Sequence, residues 1–211
     1  MVSRADPERA LALSYAPADA RAGMAALLAL DDALAAILRT TREPMVGQMR
    51  LTWWYEALGA LDERPSPANP VLQALAVHVL PHVSGKTLAA MVDGWEALLD
   101  EPLDTAAMER FAEARGGGLF GAAGAVLGVV RAGLEEAGAG WALADLAANL
   151  GDPGGAATAR ALAAPRLARA MRGRWPVRAR ALGALVLLAR PGTPGSPARV
   201  ARLLWHRATG L

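Results

Sequence analysis

Prolines and glycines cut this chain into helix-length pieces, and the pieces between the cuts are built mainly from alanine and leucine. That punctuation constrains the fold more than any other feature. Alanine and leucine favour helix, and few segments carry the alternating Val/Ile/Thr/Tyr pattern of a half-buried strand. Pro17 and Asp19 open a helix predicted over 18–41, with Leu27, Leu28, Leu34 and Leu38 on its apolar side. The turn at Arg42–Pro44 leads into a helix over 45–62 with the stripe Gly47, Leu51, Trp54, Leu58 and Leu61. After the proline-rich linker 64–70, further helices are predicted over 70–80, 84–99, 104–129, 134–150, 154–171, 176–189 and 197–208. The clearest breaks are Gly151–Gly155 and Pro191–Gly195. The expectation is a single all-α domain over 1–211, since 211 residues that are 54% hydrophobic suffice for one real core.

Several functional classes drop out early. Without cysteine there is neither a disulfide framework nor a thiolate metal site. His78 and His82 stand four residues apart, as some zinc ligands do, but Pro81 interrupts the turn and no acidic partner lies near. Ser84-Gly85-Lys86-Thr87 looks like the end of a phosphate-binding loop, yet Leu80 occupies the opening glycine position; Ser84 as a helix N-cap explains the string. The N-terminal residues lack a signal-peptide pattern, and the apolar run between Arg115 and Arg131 is too short to span a bilayer. A cytoplasmic protein, with peripheral membrane association left open, is the expected setting.

The net charge of +2 conceals an asymmetry. Residues 1–152 hold all twenty acidic residues against eleven basic ones, a net charge of about −9, whereas eleven arginines and no acid follow Asp152. Two oppositely charged parts packing together would account for this. A patch for anionic lipid or diphosphate would account for it too; nucleic acid is not expected as a partner.

Charged side chains on apolar stripes mark the candidate site. Asp31 follows Leu27 by four and precedes Leu34 by three, so it falls on the buried face of its helix. A carboxylate there needs a partner. Arg50, at the edge of the next helix's stripe, is the expected one across the hairpin. Asp32 lies about 100° further round.

The segment EPMVGQMRLTWWYEAL, Glu43 to Leu58, resembles the E-P-x-x-G-x-x-R-x-x-W-W segment of the squalene/phytoene synthase family. FAEARGGGLFGAAGAVLG, Phe111 to Gly128, resembles that family's Tyr-Ala-Glu…Ala-Gly…Leu-Gly helix, and GWALADLAANLGD, Gly140 to Asp152, is a weaker match. The resemblance covers most of the chain up to 152, leaving 153–211 as an arginine-rich helical part. It implies an isoprenoid-synthase-like helical bundle around a central cavity. Active members join two isoprenoid diphosphates head to head, with Mg²⁺ held by aspartate-rich motifs on facing helices. On that pattern Asp31, Asp32 and Arg50 would be catalytic, and Asp93, Asp145, Asn149 and Asp152 would bind substrate. Asp31, Asp32 and Asp152 would hold the metal.

The sequence departs from the pattern where the ion would sit. Ala35 and Ala36 stand one turn beyond the aspartate pair, Ala97 follows Asp93 where an acid is expected, and Gly151 replaces an arginine beside Asp152, with Ala156 one turn on. Asp145, Asn149 and Asp152 form an i, i+4, i+7 series that would serve either as ligands or as an exposed face. These departures point to a non-catalytic scaffold or assembly factor, binding an isoprenoid diphosphate, a lipid or a partner protein. The alternative is a working Mg²⁺-dependent prenyltransferase of isoprenoid or carotenoid biosynthesis. A membrane-binding module acting through the arginine-rich part is a third reading.

Overall fold

The computed structural model describes residues 7–41, 43–99, 102–193 and 195–211; Arg42 of the predicted hairpin turn and Pro194 of the predicted break lie outside them. The elements are α1 (Pro7–Leu13), α2 (Arg21–Thr40), α3 (Pro44–Ala60), α4 (Pro70–His78), α5 (Gly85–Ala89), α6 (Val92–Glu96), α7 (Thr105–Phe111), α8 (Gly118–Leu127), α9 (Leu134–Asn149), α10 (Pro153–Ala170), α11 (Arg180–Ala189) and α12 (Pro197–Thr209). Among the described residues there is no strand, as the alanine–leucine pattern predicts.

Local chemistry sets the helix starts. Asn69 caps α4, its side chain accepting from the Val71 and Leu72 N–H groups at 2.9 and 3.2 Å. Ser84 caps α5 through the Thr87 N–H at 3.1 Å, as expected of the false phosphate loop. Pro44, Pro70, Pro153 and Pro197 sit in first turns, where a missing N–H costs nothing.

Two predicted helices are broken. The 84–99 segment is divided into α5, α6 and a 3₁₀ turn at Ala97–Leu99. The 104–129 segment carries a π turn, Ala112–Gly117, between α7 and α8. A π turn adds a residue to the helical repeat and redirects the side chains within it.

The core is continuous. It includes Leu27, Leu30 and Leu34 of α2, Leu51 and Leu58 of α3, Leu72 and Leu75 of α4, Phe120 of α8 and Leu143 of α9. α9 packs against the π turn on one side and α10 on another, so α9 and the π turn form the middle of the bundle. Glycines allow the closest approach. A Cβ on Gly116 of the π turn would overlap the Gly138 carbonyl of α9, and a Cβ on Gly138 would overlap the Gly116 carbonyl. On the π turn's other flank, a Cβ on Gly94 of α6 would come within 2.9 Å of the Arg115 backbone nitrogen.

Candidate functional site

The carboxylate that the sequence placed on an apolar stripe is indeed buried: Asp31 is 1% exposed. Its partner is not Arg50. Arg115, from the π turn, donates from Nε to Asp31 Oδ1 at 2.7 Å and from Nη2 to Asp31 Oδ2 at 2.9 Å. Its third nitrogen, Nη1, donates to Asp145 Oδ2 of α9 at 2.6 Å. Arg9 of α1 adds a bond from Nη2 to Asp31 Oδ2 at 3.2 Å, while its Nη1 donates to Asp32 Oδ1 at 2.7 Å.

Arg50 lies on the exposed side of α3 near the hairpin turn. It donates to the Thr40 and Thr41 hydroxyls at 3.4 and 3.0 Å. It is only six residues into α3, whereas Asp31 lies nine residues before the end of α2, so the two are not level. The need for a cation holds, but the hairpin register keeps Arg50 from meeting it.

Arg115 is itself 3% exposed. Its guanidinium carbon lies 4.4 Å from the Trp95 ring centre, 4.7 Å from Trp141 and 5.2 Å from Phe111. Trp95 and Phe111 meet edge to face with centroids 5.4 Å apart. Three ring faces and two carboxylates therefore enclose one planar cation, which matches what a guanidinium can accept around its rim and over its plane.

The electrostatics are mutual. Burial alone would raise the Asp31 carboxyl, but the guanidinium of Arg115, joined by that of Arg9, outweighs it and holds the group below its usual range. For Arg115, burial works against the charge, and Asp31 with Asp145 more than restores it, so its proton is held more tightly than usual. Asp32, though exposed, shifts the other way: the desolvation it does suffer raises it and the Asp31 charge adds to the rise, against the pull of Arg9.

The remaining predicted residues are dispersed. Asp93 is exposed on α6 and lines an open groove of about 1460 Å³ together with Met91, Gly117, Gly121, Ala125 and Glu135. None of the Arg115 cluster's carboxylates lines that groove. Asn149 folds back on its own helix, donating to the Asp145 carbonyl at 2.8 Å and to Asp145 Oδ1 at 3.4 Å. Helix α9 ends there and Leu150 is extended, so Asp152 is not the next member of a helical series. Asp152 instead caps α10, accepting from the Gly155 N–H at 2.6 Å.

Magnesium takes about six oxygens in near-octahedral geometry. Both oxygens of Asp31 and one of Asp145 point at guanidinium N–H groups, and the point between the two helices holds a fixed positive charge. Among the described residues no group of three His, Asp or Glu converges as a metal site. The residues present do not fit the ion that the resemblance implies.

Arg9, Arg115, Trp95 and Trp141 were missed as site residues. Arg115 carried a signal: it follows Phe111 by four and precedes Leu119 by four, both buried, so it lies on an apolar stripe as Asp31 does.

An all-helical bundle that brings carboxylates from two helices to one buried point is consistent with the isoprenoid-synthase class. The family model for squalene/phytoene synthase matches residues 2–152, and the chain belongs to that family. No curated protein and no solved structure matches it.

Proposed function

We propose that this protein is a member of the squalene/phytoene synthase family that no longer condenses prenyl diphosphates and serves as a helical scaffold or assembly factor. One observation carries the reading: the Arg115 guanidinium bridges Asp31 and Asp145, at the point where active members of the family would gather metal ions. Expelling that arginine would leave buried Asp31 with only the longer Arg9 contact, and retaining it repels a divalent cation. Without the ion, the charge developing on a departing diphosphate loses its main stabilisation, and each 1.36 kcal/mol lost is about tenfold in rate.

The outward face of α3 supports a partner-binding role. Met45, Met49 and Trp53 follow one another at one-turn intervals and are 74%, 67% and 46% exposed, an apolar ridge that water does not favour.

The test is purified protein with Mg²⁺ or Mn²⁺ and labelled farnesyl or geranylgeranyl diphosphate. Neither hydrocarbon product nor released pyrophosphate is expected. Turnover that Asp31→Ala or Asp152→Ala abolishes would overturn the reading and restore the enzyme.

A further inference from the structure

Helix α12 packs one side into the bundle and leaves a second apolar side in water. Arg199, Leu203 and His206 form the buried row. At 100° per residue, Leu204, Ala201 and Ala208 point the opposite way, with Val200 and Trp205 on their two flanks. Val200, Leu204 and Trp205 are 40%, 54% and 62% exposed, and Leu211, just past the helix, is 53% exposed. Arg207 borders the ridge on the Val200 side and Arg202 on the Trp205 side. Neither forms an ion pair with a described residue: Arg207 lies over the Tyr15 ring at 5.2 Å, and Arg202 is exposed, with its Nη2 beside Gly192.

The surroundings have the same sign. No acid occurs after Asp152. Among the described residues, the acids that pair with residues 177–207 are Asp19, held by Arg178 at 2.7 Å, and Glu8, held by Arg199 at 3.1 Å, so both are neutralised within the fold.

We infer that the outer face of α12 docks on the surface of an anionic phospholipid bilayer, with Val200, Leu204 and Trp205 in the headgroup–acyl boundary and Arg202 and Arg207 on lipid phosphates. The face combines what such a surface selects: an aliphatic ridge, an indole suited to the interface, and arginines along both edges that pair with no acid among the described residues. A protein partner would select a patch with hydrogen-bonding groups of both signs, and this face has cations only. The inference is independent of the catalytic reading, since none of its residues belongs to the Arg115 cluster.

Vesicle flotation of the full chain tests it, using phosphatidylcholine vesicles with and without phosphatidylserine. Flotation is expected only with phosphatidylserine, and it should fall steeply with added salt. Leu204→Asn with Trp205→Ala should weaken binding roughly tenfold or more. Arg202→Gln and Arg207→Gln should each weaken it about fivefold. All four positions are exposed, so melting temperature should be unchanged and a folding defect would be visible separately. No flotation with phosphatidylserine vesicles would overturn the inference, as would equal flotation of the Leu204/Trp205 variant. It would equally fall if these substitutions dissolved a dimer in sedimentation while vesicle binding stayed absent.

Discussion

Arg115 is ion-paired to two helices and covered by three rings, and removing it would leave Asp31 buried with only the weaker Arg9 contact. Arg115→Met should therefore lower stability by about 3–5 kcal/mol, as breaking a buried pair from one side does. Asp31→Leu combined with Arg115→Met should recover most of that loss, because no buried charge is then left unpaired: Arg9 keeps Asp32, and Asp145 reaches solvent. Urea unfolding of the two single variants and the pair, read as a double-mutant cycle, measures the coupling. Arg50→Gln is the contrasting case. Its bonds are to exposed threonines, so a change within about 0.5 kcal/mol is expected. At this scale the sequence was half legible. That Asp31 needed a buried cation followed from its place on the stripe. Which cation followed only from the fold, because Arg115 lies 84 residues away and reaches Asp31 through a π turn.

At the scale of elements, most helices could be read from their proline and glycine boundaries, and the exceptions share a cause. Alanine-rich sequence is helical under several repeats, so nothing local marks where 104–129 widens into a π turn or where 84–99 breaks. Helix α1 went unread because seven residues show too little periodicity, yet it supplies Arg9 to the site. Glycines also set the closest packing. Gly116 and Gly138 let the π turn and α9 cross backbone to backbone, which sets Arg115 and Asp145 at bonding distance. Gly138→Ala would drive a methyl group into the Gly116 carbonyl and should cost about 1–3 kcal/mol or more. Gly59 is the control: it lies within α3 with nothing inside 4 Å of a Cβ, so Gly59→Ala should stabilise by about 0.5–1 kcal/mol. Thermal melts of the two variants give the opposite signs directly.

The whole molecule joins an acidic part to a basic one through specific pairs. Arg166 bonds Glu109 and Glu136, Arg178 bonds Asp19, and Arg199 bonds Glu8. Two buried groups should then divide its response to acid into two stages. His206 is fully buried, with its ring nitrogens facing the Arg180 and Leu211 carbonyls at 3.1 and 3.2 Å. Burial pushes its pKa below the usual value despite those carbonyls. A depressed histidine binds a proton less readily folded than unfolded, so its contribution is intact above about pH 6.5 and shrinks as pH falls toward the folded value. Asp31 is also depressed, by Arg115 and Arg9 against burial, so its stabilisation persists down to about pH 4 and is lost below that. The melting temperature should fall first as pH drops below about 6.5, then again below about pH 4. His206→Gln keeps a side chain able to bond one carbonyl and cannot titrate, so it should flatten the upper stage and leave the lower one. The Asp31→Leu, Arg115→Met pair should weaken the lower stage and leave the upper. A single smooth decline, unchanged by either variant, would mean that the many surface ion pairs, not these two buried groups, govern acid stability.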